Sequence, residues 1–586
     1  MKVYLHSFYT IYIVSLFIFL YSFTGISQTS TLLGYDASGH LTYQEDAKGN
    51  HIPDFSYTGY HHGEKEIPVL PVVKTISPVN GDNHAHIQNA IREIEARTPN
   101  AMGYRGALLL KEGEYPIGDI LSIQKSGVVV RGEGTNTILV ATKRVKQDFI
   151  RYEGSGAATP DLSTRTKIAD TYVPVGTQQV TLVSGHSFKV GDRIFLERKP
   201  NQAWIDLLGT GNLKDTDPDD TNWTPQMYTI RYKRVITGIN GDQITFDAPV
   251  VDMIDSQYAE GYVYTYTWDN RIEEVGIENM RLASEFDSDT DEDHAWDAVK
   301  FINAENAWAK DVTAYYFGYS CVNVTSTSSK ISVFNCKMMD PKSRTTGGRK
   351  YSFNTNGEQT LFKNCYARGG RHDYVTGSRT PGPNTFVNCI SENQKSTTGP
   401  HHRWGTGQLY DNVSGTKDFA AENRRNSGSG HGWAGAQIMF WNCTTTTKFV
   451  IQDPPGDHVN WAIGCKGTVT ATGQFGATDP LGYVESNGTF LQPASLYEKQ
   501  LQDRLNVLNV SEEDFSFSPE LKVYPNPATH ILYISNNKER LKWTLYNVLG
   551  NQLHTGDIDK ISLQQLTPGF YVLKFENGMN RQFIKL

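Results

Sequence analysis

Between Val333 and Trp461, short apolar runs alternate with polar, glycine-rich segments, and the alternation itself repeats. Six run endings carry the repeat: Phe334-Asn335-Cys336, Lys363-Asn364-Cys365, Val387-Asn388-Cys389, Asp411-Asn412-Val413, Trp441-Asn442-Cys443 and Ile463-Gly464-Cys465. The steps from Asn335 through Asn364, Asn388, Asn412 and Asn442 to Gly464 are 29, 24, 24, 30 and 22 residues. Phe362, Phe386, Tyr410 and Phe440 each stand three positions before the small apolar residue of their run. A repeat of about two dozen residues, built from β-rich pieces and loops of varying length, is a coil of a parallel β-helix. Equivalent residues of neighbouring coils stack about 4.8 Å apart. The pattern therefore predicts an interior lined by Cys and Val, and a ladder of Asn335, Asn364, Asn388, Asn412 and Asn442 whose amides both donate and accept.

The rest of the chain is read around that repeat. In the stretch Gly81–Ile94, Ile87, Ile91 and Ile94 fall on one helical face, with Asp82 or Asn83 placed to cap it. Such a helix before a β solenoid would plug its open end, where an uncovered strand edge invites aggregation. Gly34–Val73 reads as an extended strap. Residues 142–250 break the coil rhythm, and Val180–Val183 and Arg193–Leu196 alternate like strands of an inserted β subdomain. That insertion would either wall a substrate groove or be a decorative loop. Pro493–Leu505 reads as a closing helix and 506–519 as a linker. The expected fold is all-β: a right-handed parallel β-helix over 28–505 with an N-terminal capping helix, the inserted subdomain at 142–250, and a small C-terminal β-sandwich at 520–586.

Composition agrees and narrows the setting. The chain is 38% hydrophobic with 52 Gly and 31 Tyr, which suits a turn-rich β protein. A net charge of −8 gives no pull towards nucleic acid or an anionic membrane. Residues 1–27 carry Lys2, a long apolar run and small residues before Gln28, the pattern of a cleaved signal peptide, which leaves no span in the mature chain. Five of the six cysteines obey the repeat, so buried stacking rather than disulfide bonding is expected.

Two stretches resemble known families. The helix at Gly81–Ile94, followed by Gly106–Leu110, Gly113-Glu114-Tyr115 and Val129-Val130-Arg131-Gly132-Glu133-Gly134, resembles the start of the pectate-lyase-like superfamily, over roughly residues 75–500. Its members include polysaccharide lyases, glycoside hydrolases and phage tailspikes, so the resemblance implies a fold and leaves the chemistry open. The tail carries Val523-Tyr524-Pro525-Asn526-Pro527, Leu545–Gly550, Leu566–Leu573 and the ending Phe583–Leu586. It resembles the type IX secretion sorting domain of Bacteroidetes. That implies the type IX secretion machinery as partner, and export across the outer membrane with release or surface attachment.

Candidate chemistry comes from a second recurrence. A His or Arg, any residue, then an aromatic appears at His294-Ala295-Trp296, Arg349-Lys350-Tyr351, His372-Asp373-Tyr374, His402-Arg403-Trp404 and His431-Gly432-Trp433. If the coils are in register, these form a strip about 20 Å long. Cations and rings together suit an acidic polysaccharide or oligosaccharide. β-Elimination on a uronate needs a base for the C5 proton, a neutraliser for the carboxylate and a proton for the leaving oxygen. His372 or His402 is the candidate base, Arg371 and Arg403 the carboxylate clamps and Tyr374 the proton donor. His294, Arg349, Lys350, Trp404, Arg425, His431 and Trp433 are expected to bind substrate. The superfamily resemblance implies Arg or Lys as base with calcium as neutraliser, which keeps Arg349, Lys350 and Arg425 as alternative bases. Asp287, Asp289, Asp291 and Asp293 place oxygen ligands at alternate positions, as hard-cation loops do, so calcium is the candidate cofactor there. No Cys or His set has zinc spacing. A glycoside hydrolase would need two carboxyl groups, which Glu285, Asp293, Asp297, Asp373 and Glu422 offer. A non-catalytic glycan-binding surface protein is the third alternative. The leading expectation is an exported, monomeric lyase acting on a uronate-containing polysaccharide.

Overall fold

The computed structural model describes residues 28–213, 221–473, 476 and 478–511, then 522–524, 528–535, 540–547, 552–567, 569–576 and 580–585. The expected signal peptide and most of the expected linker lie outside the described residues. The chain forms two compact units, 1–505 and 506–586.

The first unit is a parallel β-helix, and its coils follow the sequence repeat. One coil runs Phe353–Thr355, Leu361–Lys363 and Tyr366–Arg368, and the next Tyr374–Thr376, Asn384–Val387 and Ile390–Glu392. Parallel pairing sets Phe334 beside Lys363, Lys363 beside Val387, Val387 beside Asp411, Asp411 beside Trp441 and Trp441 beside Ile463. The residues that follow, Asn335, Asn364, Asn388, Asn412, Asn442 and Gly464, therefore stand in one column at the bend between two strands. Each has φ between 51° and 66°, the left-handed conformation that Asn and Gly tolerate best. Asn recurs because the bend demands this backbone.

The predicted amide ladder holds only in part. Asn335 Nδ2 donates to Asp311 Oδ1 at 3.0 Å and Asn364 Nδ2 to Asn335 Oδ1 at 3.3 Å. Asn412 and Asn442 donate instead to the carbonyls of Ala494 and Leu491, so the C-terminal segment takes over the end of the column.

Inside, Phe362, Phe386, Tyr410 and Phe440 stack with centroids 4.9, 4.9 and 5.1 Å apart, the coil spacing. Cys336, Cys365, Cys389, Cys443 and Cys465 are buried free thiols in the same core. The helix His84–Glu95 buries Ile87, Ile91 and Ile94 in that core, the face its periodicity predicts. The closing helix runs from Leu496 to Ser511. Arg504 on it donates to the carbonyls of Ser56 and His62, clasping the N-terminal strap.

The insertion is shifted from its predicted bounds. Ile150–Glu153 is still a coil strand, paired with Leu121–Ile123 and Asp297–Ile302. The inserted antiparallel sheet runs from Thr159–Pro160 to Ala259–Thr267. A four-residue coil strand carries too little pattern to be told from a loop.

The second unit packs a three-stranded sheet (Lys522–Tyr524, Ile531–Ser535, Lys560–Ser562) and a four-stranded sheet (Trp543–Asn547, Gln552–Gly556, Gly569–Phe575, Asn580–Lys585). Leu532, Trp543, Leu545, Leu573 and Phe583 lie in its core.

Candidate active site

The predicted strip divides into two parts with different fates. His294, Arg349 and Lys350 lie in the first part, beside the acidic loop 287–293. His294 is buried, with Nδ1 2.9 Å from Ser284 Oγ and Nε2 2.8 Å from the carbonyl of Lys342. Arg349 grips Glu292 through two nitrogens, Nη2 at 3.0 Å, and this pair together with Arg344 holds the Glu292 carboxyl down at about 2. Lys350 is buried and reaches Thr345 Oγ1 at 3.4 Å. The acidic loop is likewise committed to cations of the chain. Arg144 pairs with Asp287 at 2.8 Å and with Asp291, and Lys342 pairs with Asp289 at 2.7 Å. Asp291 also accepts the backbone N–H groups of Asp287 and Asp293. These contacts engage three of the four carboxylates that the alternating pattern suggests for calcium, those of Asp287, Asp289 and Asp291.

Three predicted site aromatics are core residues, which corrects their assignment. Tyr374 points into the solenoid and donates to the carbonyls of Cys365 (2.8 Å) and Ile390 (2.7 Å). Trp404 and Trp433 are buried in the core of the insertion with Trp204, Trp223 and Tyr228. Trp404 Nε1 donates to Asp252 and Trp433 Nε1 to the carbonyl of Leu208. They fasten the insertion to the coils. Arg425 turns away to Asp479 at 2.7 Å.

The second part of the strip converges. His372, His401, His402 and His431 form a cluster of rings: His372–His401 at 4.6 Å, His401–His402 at 5.2 Å, His401–His431 at 5.3 Å and His402–His431 at 4.8 Å between centroids. The expected register between His372 and His402 does not hold. Thr376 pairs with Pro400, which sets His372 ahead of its strand and His402 beyond the next. Because Gly399–Pro400 is so short a strand, the loops on its two sides still meet. His401 and His402 follow it, and His431 enters from the turn after Ser427–Gly430.

Arginines surround the rings. Arg424 Nη1 lies 3.0 Å from His401 Nδ1 and 2.7 Å from its carbonyl. Arg403 is held by Ser429 Oγ at 2.9 Å and by the backbone of that turn. Arg371 binds the carbonyl of Gly347 and also hydrogen-bonds Tyr351. The Tyr351 ring lies 5.1 Å from that of His372. The insertion supplies a wall: Trp223 Nε1 donates to the carbonyl of Gly430 at 3.1 Å, and Arg379 donates to that of Met227 at 2.7 Å.

Burial, then the arginines and neighbouring imidazoles, push these histidines far below their ordinary range. His372 and His402 fall to about 3, His431 to about 2, and His401 also falls well below. All four are neutral at pH 7. Nδ1 of His402, Nδ1 of His431 and Nε2 of His372 are buried with no hydrogen-bond partner among the described residues, an arrangement that calls for a ligand or a proton.

His401, His402 and His431 each bring a nitrogen within 4.8 Å of the others, a set that sequence spacing did not reveal because His431 comes from a different loop than the adjacent His401 and His402. Three neutral imidazoles are metal-ligand chemistry. Yet Arg424 already sits on His401, and the charges felt by the cluster are those of Arg371, Arg379, Arg403 and Arg424. That field opposes a dication and draws an anion.

Two of the hydrolase carboxyls, Asp373 and Asp297, are engaged in structural bonds. Both oxygens of Asp373 accept from Ser352 and Ser391 inside the coil, and Asp297 accepts from Ser320 and Asn323. Glu422 is buried. Glu285, just before the acidic loop, and Asp293, at its end, are exposed.

No curated protein matches the sequence. Solved structures similar to the chain include the tailspike protein gp49 of Pseudomonas phage LKA1 (13% identity, TM-score 0.32, 69% of this chain and 74% of that one). Another is the tailspike gp61 of Pseudomonas phage phi297 (11%, 0.33, 85% and 88%). A third is a polygalacturonase of Erwinia carotovora (9%, 0.32, 70% and 95%). At such distance these likenesses carry no reading of chemistry, which rests on the side chains. Residues 522–586 match the secretion system C-terminal sorting domain. Among the described residues no helix is long and apolar enough to cross a membrane. The chain thus ends in a type IX secretion sorting domain and is exported, to be released or attached at the cell surface.

Proposed function

We propose that this exported protein cleaves an acidic, uronate-containing polysaccharide or its oligosaccharides by β-elimination at the imidazole–arginine cluster. The observation that carries the reading is the pairing of unpartnered neutral imidazoles with Arg371, Arg403 and Arg424, while both oxygens of the nearby Asp373 are held in structural bonds.

The arginines would receive the substrate carboxylate and stabilise the enolate that forms when C5 loses its proton. His402 and His431, the half-buried pair of the cluster, are the bases that a sugar can reach. In the free site burial, and after it Arg403, Arg424 and Arg379, make His402 a weak base. A bound carboxylate offsets those charges and raises its basicity at the moment a base is needed. Tyr351 takes the role first expected of Tyr374. Burial raises its pKa, so it stays protonated and can give its proton to the departing C4 oxygen. The C5–H bond breaks towards His402, the C4–O bond breaks with its electrons on oxygen, and a C4–C5 double bond remains.

Hydrolysis is the second reading, favoured only by the abundance of acids along the coils. Incubation with alginate, polygalacturonate and ulvan, read by the ultraviolet absorbance of the unsaturated uronate product, separates the two. Appearance of that chromophore supports elimination. Reducing ends without it would establish hydrolysis.

A further inference from the structure

A cleft of about 230 Å³ lies between the N-terminal strap and the last coils, apart from the imidazole cluster. Gln437 is among its lining residues. It is 1% exposed and sits at φ 55°, in the left-handed conformation of a bend. The paired strand carries Gly407 between Thr406 and Gln408, also at φ 61°, so both coils bend here. Oε1 of Gln437 is buried without a hydrogen-bond partner among the described residues. A buried amide oxygen left unbonded is costly, so its place beside a cleft points to a ligand that completes it.

The walls state what that ligand is. Trp461, Tyr483 and His51 supply rings, and Ile52, Val175 and Val459 supply apolar surface. Tyr483 is fixed by its hydroxyl to Thr31 Oγ1 at 2.9 Å, and His51 by Nδ1 to the carbonyl of Ile52 at 3.0 Å. Glu45, Asp46 and Asp457 also line the cleft. The Lys48 ammonium, 2.7 Å from Asp457, is the cation paired there. Three carboxylates against one ammonium repel uronate and sulfate. Aromatic and apolar walls cover the C–H face of a sugar ring, while an amide and carboxylates bond its hydroxyls.

We propose that this cleft is a second carbohydrate site that takes a neutral sugar residue. The inference does not depend on the elimination chemistry proposed for the cationic cluster. The protein would then hold a mixed or composite glycan at two places of opposite charge.

The test is affinity gel electrophoresis of the full chain through galactomannan, xylan and laminarin, with alginate and polygalacturonate as the acidic probes. The variants are Gln437→Leu, which keeps the bulk and removes the amide, and Tyr483→Ala, with melting temperatures measured to confirm folding. At least one neutral glycan should retard the wild type, and each variant should weaken that binding about tenfold or more. His402→Ala should leave it unchanged. Failure of all three neutral glycans to retard the wild type would overturn the proposal. So would undiminished retardation in both folded variants, or a loss in Gln437→Leu confined to the acidic glycans.

Discussion

The imidazole rings of His402 and His431 lie 4.8 Å apart and 29° from parallel, each with an unpartnered Nδ1. Two stacked imidazoles can be held this way only if both stay neutral, since two imidazolium rings at that distance would repel. The arrangement therefore has a measurable dependence on pH.

Burial lowers the folded-state pKa of His402 from 6.5 to about 3, and of His431 to about 2. Between those values and 6.5 the unfolded chain binds more protons than the folded one, so stability falls as pH is lowered through that window and is fully present above it. His431→Gln should flatten the loss of melting temperature between pH 6.5 and 4 relative to the wild type. An unchanged slope would mean that the ring is not neutral and buried. The same shift keeps the base of the free protein deprotonated, so kcat/KM should show no acid limb near the ordinary histidine value.

Trp404 tests the corrected role of the site aromatics. It is fully buried and bonded to Asp252. Trp404→Ala should cost about 3–5 kcal/mol and make the insertion sensitive to protease. A variant of unchanged melting temperature with a raised KM would restore the sugar-stacking role.

Asn388, at φ 52° and exposed, isolates the backbone demand of the column. Asn388→Gly should be nearly neutral, whereas Asn388→Val should lose roughly 1–2 kcal/mol through the left-handed strain. Equal losses in urea unfolding would place the value of Asn in its amide instead.

Arg144 and Lys342 hold Asp287, Asp289 and Asp291, and arginines ring the histidine cluster. Exhaustive EDTA treatment should therefore leave both melting temperature and turnover unchanged. Loss of turnover restored by calcium would revive the acidic loop as a metal site, and restoration by zinc alone would assign the metal to His401, His402 and His431.

The fold was legible because a solenoid writes its period into the chain. Asn335 to Gly464, the stacked aromatics and the buried cysteines all follow from one repeat, and the buried helix face follows from the spacing of Ile87, Ile91 and Ile94. The site was only half legible. A repeat reports which residues are equivalent along the coils and says nothing of loops that cross between them. His401 met His372 because Gly399–Pro400 is short, and Arg424 met His401 across a turn, neither of which has a period. The His-x-aromatic recurrence was real, but in three of its instances the ring served packing: Tyr374 in the solenoid, Trp404 and Trp433 under the insertion. Tyr351 was the aromatic of Arg349-Lys350-Tyr351 in that recurrence, whereas Gln437 and the true bounds of the insertion had no sequence signal beyond a residue type.

The central claim is that His402 removes a proton from an anionic sugar held by Arg371, Arg403 and Arg424. Its most direct measurement is the rate at which wild type, His402→Ala and Arg403→Ala form the C4–C5 unsaturated product from the uronate polysaccharide that the wild type cleaves fastest. Both variants should remain folded and lose at least about a hundredfold in turnover, the usual size of a lost proton-transfer group or charge stabiliser. Wild-type rates in both folded variants, or products lacking the new double bond, would contradict it.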